Sequence, residues 1–182
     1  MKTACVLLAD GFEEVEALTP IDYLRRSGIE VTTIGIWGTD PLGGHGIRIE
    51  ADLGPEALSR DFDCVIIPGG GKGSENIAKN AETIALIKRH ANKGKLIAAI
   101  CAAPAVVLHE ACGLISGKRF TCYPGLESRV TGASFHRERV VVDGNLVTAR
   151  AAGCAGEFAY TIISMLVGEE AADELARKVL LS

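Results

Sequence analysis

Apolar and polar positions alternate along this chain in two rhythms. Short, continuous apolar runs rich in β-branched residues fall at residues 3–9, 30–35, 62–67 and 96–100, and residues 13–27, 81–91 and 103–111 repeat their apolar positions at helical spacing. Strands that are apolar throughout are buried on both faces, so this alternation predicts βαβ units around a mostly parallel sheet sandwiched by helices, an α/β fold. Gly28, after Arg25-Arg26-Ser27, and Gly94, after residues 88–93, stand where left-handed helix caps are expected. Beyond Lys118 the rhythm changes. Residues 119–122, 140–142 and 146–148 read as short strands with Asp143-Gly144-Asn145 as a hairpin turn, which predicts a small antiparallel appendage to the sheet. Helical stretches at 156–166 and 169–180 close the chain, and no repeat or linker divides residues 1–182, which are read as one domain.

Composition narrows the partners. A chain of 182 residues with 48% hydrophobic content is long enough to bury one sizeable core. Its 19 basic and 23 acidic residues give a net charge of -4, which offers no long-range attraction to nucleic acid or to an anionic membrane surface. The longest apolar runs, such as 4–9 and 64–67, stop far short of the roughly 20 residues of a membrane-spanning helix. The N-terminal stretch turns acidic at Asp10 without the apolar core and cleavage site of a secretory signal, so a cytoplasmic location is expected. The six cysteines (Cys5, Cys64, Cys101, Cys112, Cys122, Cys154) are scattered with no CxxC pair, which reads as free thiols. None of the four histidines (His45, His90, His109, His136) lies at paired ligand spacing with a cysteine, so no structural metal is expected.

Three segments carry candidate chemistry. Cys101 ends the strand 95–100 and opens a helix within Ala98-Ala99-Ile100-Cys101-Ala102-Ala103-Pro104. Ligands bind outside the carboxyl ends of strands in open α/β sheets, and a helix N-terminus favours a thiolate, so Cys101 is a candidate nucleophile; a buried structural cysteine is the plain alternative. The glycine-rich turn Pro68-Gly69-Gly70-Gly71-Lys72-Gly73 follows the strand 62–67 and offers backbone N–H groups for an oxyanion, but it lacks the Walker pattern of a phosphate loop. The third segment is the acidic run Glu13-Glu14-Val15-Glu16. Helical phase places Glu14 nearest the apolar stripe Ala17, Leu18, Ile21 and Leu24, and Pro20 is expected to kink this helix.

In this order the segments Gly11-Phe12-Glu13-Glu14-Val15-Glu16, Pro20-Ile21-Asp22, Ile67-Pro68-Gly69-Gly70, Ala98-Ala99-Ile100-Cys101-Ala102-Ala103-Pro104 and Gly156-Glu157-Phe158 resemble the ThiJ/PfpI superfamily, most closely the branch of the parkinsonism-associated deglycase and the bacterial YajL proteins. The resemblance runs through nearly the whole chain. It implies a flavodoxin-like three-layer sandwich, a homodimer, Cys101 as nucleophile, and Glu16 rather than Glu14 as the carboxyl group facing its sulfur. It also implies an oxyanion site built from the backbone at Gly69, Gly70 and Ala102. Two departures stand out: Ala102 occupies the position where the protease-like and chaperone-like branches carry a histidine, and Tyr123 the position of a later histidine near the site. Arg150-Ala151-Ala152-Gly153 replaces an R-G-P-G stretch, so Tyr123 and Arg150 are expected to line the site.

The activity implied is a cofactor-independent glyoxalase or deglycase that acts on 2-oxoaldehydes such as methylglyoxal and glyoxal, or on their early adducts with protein side chains, through a hemithioacetal at Cys101. The alternative is an oxidative-stress sensor or chaperone-like protein whose Cys101 is reversibly oxidised, since the features that activate a thiolate also expose it to oxidation.

Overall fold

The computed structural model describes residues 1–181. In chain order its elements are β1 (Thr3–Leu8), α1 (Glu14–Arg26), β2 (Glu30–Gly35), β3 (Cys64–Ile67), α2 (Gly71–Lys79), α3 (Ala81–Asn92), β4 (Leu96–Ile100), a π-helix (Pro104–Ala111), β5 (Arg119–Phe120), β6 (Ser134–Phe135), β7 (Val140–Asp143), β8 (Leu146–Ala149), α4 (Ala155–Val167) and α5 (Glu169–Val179). The main sheet has the order β2-β1-β3-β4-β8-β7, parallel throughout except for the β7–β8 hairpin. This is the flavodoxin-like α/β sandwich. No helix among the described residues is long and apolar enough to cross a membrane.

The period-2 geometry of the strands divides the core in two. Ala4, Val6, Leu8, Cys64, Ile66, Ala98 and Ile100 face α1, α4 and α5, whereas Cys5, Leu7, Val65, Ile67, Ile97 and Ala99 face α3 and the π-helix. Because both faces are covered, the strands read as unbroken apolar runs. Fully burying one large aliphatic or aromatic side chain contributes about 1.5–3 kcal/mol, so the two half-cores together hold the layers in place.

Three local features depart from the sequence reading. The segment expected as a helix at 103–111 is a π-helix, its last turn shown by the Cys112 N–H donating to the Val107 carbonyl at 2.9 Å. Helix α2 grows directly out of the glycine-rich turn, although glycines disfavour helix, because its Ile77 is fully buried and Ser74 N–H bonds Gly70 O at 2.9 Å. The antiparallel part consists of β7–β8 alone: β5 pairs with β6 in parallel, since residues 121–133 supply the dozen or so residues that a parallel crossover needs.

Three strands end together. The β1–β3 and β3–β4 registers pair Ala4 with Cys64, Cys64 with Leu96 and Ile67 with Ala99, so the chain leaves β1, β3 and β4 at one edge. Between β1 and β3 the connections run to opposite sides of the sheet, which opens a crevice at that edge.

His90, fully buried on α3, ties the other end of this layer. Its Nε2 accepts the Phe62 N–H at 2.9 Å, its Nδ1 lies 2.8 Å from the Leu86 carbonyl, and the ring stacks on Phe62 with centroids 6.2 Å apart. This set is complete for a neutral imidazole, and burial holds the ring below the ordinary histidine range. Asp61, 3.9 Å from Nε2, is already paired with Arg89 and Lys93. Below pH ~6.5 the unfolded chain therefore binds a proton that the folded chain refuses, so the stability is complete at neutral pH and falls as pH drops through that value. Between about pH 5.5 and about pH 7.5, His90→Gln is expected to shift urea-unfolding stability in favour of the lower pH relative to wild type; an unchanged pH dependence would refute this.

Candidate active site around Cys101

Cys101 follows β4 directly and adopts φ 66°, one of two non-glycine residues with positive φ among those described. Such a conformation costs on the order of 1–3 kcal/mol and persists only where its surroundings over-determine it. Here both backbone groups are taken: the Cys101 N–H donates to Ala149 O on β8 at 2.9 Å, and its carbonyl accepts the Tyr123 N–H at 2.8 Å. The turn swings the side chain out of the sheet toward α1 and the glycine loop.

Glu16, 1% exposed on α1, meets it there. The Glu16 carboxyl group and the Cys101 side chain both pack against Gly69, whose N–H donates to Glu16 Oε2 at 2.9 Å, and the N–H groups of Gly70 and Ala102 favour a charged sulfur. A Cβ on Gly69 would lie 2.5 Å from Cys101 Cβ and against the Glu16 carboxylate, so the site closes only around a residue without a side chain. Gly70 turns at φ +85°, with its Cα packed so near Gly11 and Glu13 that a side chain has no room. Glu13 N–H donates to Gly69 O at 3.1 Å and locks the start of α1 to this loop.

The structure thus gathers Cys101, Glu16, Gly69, Gly70 and Ala102. Tyr123 enters through its backbone; its side chain is half exposed and its hydroxyl makes no hydrogen bond to another described residue. Arg150 Nη1 donates to the Arg137 carbonyl at 3.2 Å, and the Arg150 backbone N–H donates to Arg139 O at 3.1 Å.

Helical phase was right that Glu14 is buried and wrong about what it serves. Its carboxylate accepts the N–H of His45 at 2.7 Å and lies 2.9 Å from His45 Nδ1. His45 went unnoticed because it lies in an irregular loop 31 residues from Glu14, where no periodicity or motif marks it.

Electrostatically the pair behaves as one unit. Burial, with a smaller contribution from the charge of Glu13, raises Glu16 to about 7 against the hydrogen bonds of Cys101 and Gly69. Burial first, then the Glu16 charge, pushes Cys101 to about 12, while Gly70 and Ala102 N–H pull the other way. A helix N-terminus therefore does not by itself depress this thiol, as the sequence suggested, because desolvation and a neighbouring carboxylate outweigh it. When Glu16 is protonated the repulsion disappears and its O–H becomes a donor to sulfur. The pair loses one proton readily and holds the second to strongly alkaline pH.

A flavodoxin-like sandwich with a cysteine at a strained strand-to-helix turn, against a buried glutamate, defines the class to which this chain belongs. Within that class the chain belongs to the DJ-1/PfpI family, whose model matches residues 2–165. It is 38% identical to the protein dj-1beta of Drosophila melanogaster, over 100% of this chain and 98% of that one. It is 33% identical to a deglycase of Pyrococcus abyssi, over 81% of this chain and 89% of that protein. It also matches DJ-1 homolog B of Arabidopsis thaliana at 36% identity, spanning 96% of this chain but 40% of that longer relative. Among solved structures, oxidized DJ-1 of Toxoplasma gondii superposes with a TM-score of 0.96 at 35% identity, covering 99% of this chain and 98% of the other. A cysteine-to-alanine mutant of a DJ-1 superfamily protein from Salmonella typhimurium gives 0.95 at 38%, covering both chains completely.

Glu16→Gln keeps a hydrogen-bond donor and removes the charge. Its Cys101 is expected to titrate as a single thiol well below 12, read as thiolate absorbance against a Cys101→Ser background; a midpoint unchanged from wild type would disconnect the two groups.

Proposed function

We propose that this protein is a cysteine-dependent glyoxalase or deglycase, acting without a cofactor on 2-oxoaldehydes or their early adducts with protein side chains. One observation carries the reading: Cys101, at φ 66°, and the buried carboxyl group of Glu16, raised to about 7, are packed together against Gly69, so closely that a Cβ there would meet both. The deglycase name of one relative agrees with it. Glu16 carboxylate takes the Cys101 thiol proton as the sulfur attacks the aldehyde carbon and passes it to the carbonyl oxygen, giving a hemithioacetal. Glu16 carboxylate then removes the proton on that carbon, and the neighbouring ketone carbon is reprotonated, so the aldehyde carbon is oxidised as the ketone carbon is reduced. Water hydrolyses the resulting thioester to a 2-hydroxy acid and frees the thiol. In this reading the N–H groups of Gly70 and Ala102 serve as donors to the oxygen as it becomes negative. Free thiols throughout fit a reducing compartment such as the cytoplasm.

Methylglyoxal is expected to yield lactate with the wild-type protein and none with Cys101→Ser, and Glu16→Gln is expected to lose about 10²–10⁴-fold in rate. Equal turnover by Cys101→Ser would sink the mechanism. A second reading, a redox sensor, is favoured by Cys101 being the one cysteine of the six that is not buried, and by a structural relative captured oxidized. It takes over if no lactate forms while mild peroxide modifies Cys101 ahead of Cys5 and Cys64 by mass spectrometry.

The partner we propose for the apolar face is a second copy of the chain. Val15 and Leu18, one turn apart on α1, and Ile47, whose N–H reaches the Glu14 carboxylate at 3.4 Å, are all exposed and lie together. Sedimentation is expected to give a dimer mass, reduced to monomer when Val15 and Leu18 are both changed to Glu; a monomeric wild type would refute this.

A further inference from the structure

Beside the cysteine site, Glu13, Glu14 and His45 each present one ligand atom, and the three atoms lie within 4.8 Å of one another. His45 Nδ1 is 2.9 Å from Glu14 Oε2 and 3.5 Å from Glu13 Oε2. Neighbouring donors on a tetrahedral ion with bonds of about 2.0–2.2 Å stand about 3.3–3.6 Å apart; the Glu13 contact already has this spacing, and the Glu14 contact would open by about 0.4–0.7 Å to admit the ion.

The donors are held as a metal site requires. Glu14 is buried, and its Oε1 accepts the N–H of His45 at 2.7 Å and of Ile47 at 3.4 Å, which leaves Oε2 turned to the imidazole. Backbone donors that fix the outer oxygen of a ligating carboxylate are the support such ligands commonly have. The loop closes tightly over this group: a Cβ on Gly43 would lie 2.6 Å from Glu14 Cγ. On the other side the cluster is open, since the His45 side chain is 70% exposed, so water can complete the coordination of an ion.

Charge points the same way. Two carboxylates converge on one imidazole, and among the described residues neither Glu13 nor Glu14 pairs with a lysine or arginine. A protonated His45 balances one of the two carboxylate charges, and a divalent ion in its place balances both. One imidazole with two carboxylates is a donor set that suits zinc and its neighbours better than magnesium or calcium, which take oxygen alone.

We propose that Glu13, Glu14 and His45 form a binding site for a divalent transition-metal ion at the rim of the Cys101 site. The site shares no ligand with Cys101 and Glu16, so binding of the ion is tested separately from the glyoxalase reading. Zinc titrated into the Cys101→Ser protein in competition with a chromophoric chelator is expected to bind one ion per chain. His45→Ala and Glu13→Gln are each expected to weaken it at least about tenfold, while His136→Ala, which alters another surface histidine, leaves it unchanged. Circular dichroism confirms that each variant is folded. No bound zinc, binding that survives His45→Ala, or binding that depends on His136 would each overturn the proposal.

Discussion

The left-handed backbone at Cys101 is the constraint from which the site follows. A residue leaving β4 in the ordinary extended or helical conformation would send its side chain back over the sheet; φ 66° lifts it clear. The neighbours provide what holds it, because β8 supplies an acceptor for its N–H and the segment before β6 supplies a donor for its carbonyl. Each such bond contributes about 0.5–1.5 kcal/mol net, enough together to offset a strain of order 1–3 kcal/mol. The antiparallel hairpin at the sheet edge therefore reaches the chemistry through β8, although none of its side chains touches the sulfur among the described contacts.

Once the sulfur points toward α1, spacing dictates composition. Glu16, Gly69 and Cys101 converge so tightly that position 69 admits no side chain, and Gly70 must turn through positive φ to aim its N–H inward. With Ala102 after the cysteine, no imidazole charge enters this arrangement. A cysteine–histidine pair shares its proton between a thiolate and an imidazolium and stays neutral overall; here the pair is a thiol and a carboxyl group and carries one negative charge after the first ionisation. Backbone N–H groups, which are uncharged donors, are what remain to stabilise it.

Much of this was legible in the sequence because burial leaves a periodic trace. The unbroken apolar runs of β1, β3 and β4 announced a sheet covered on both sides, and the small residues around Cys101 announced a tight turn at its edge. What escaped has a common physical cause. Residues 71–79 carry two glycines, so propensity argues against the helix that tertiary burial of Ile77 imposes. The π-helix escaped because Pro104–Ala111 has the apolar spacing of an ordinary helix, and only the bonding of its last turn reveals the wider coil.

The acidic run shows most clearly why periodicity stops short of function. Glu14 and Glu16 are both buried on the same helix although they point to nearly opposite sides of it, so phase picks out Glu14 and passes over Glu16. Their fates are decided by the donors around them. Glu14 accepts two backbone N–H groups and faces His45, and these outweigh burial to hold it below the ordinary carboxylate range, ionised and anchoring the irregular loop. The same loop leans on Asp10, which accepts Leu42 N–H at 2.9 Å, and on Asp52, which accepts Thr33 N–H at 2.8 Å; acid side chains replace the ladder bonds it lacks. Glu16 has one backbone donor, Gly69, and a thiol, and burial prevails, raising it to about 7. Two residues along one helix, the count of available N–H groups separates a structural anion from a carboxyl group poised to exchange a proton at neutral pH.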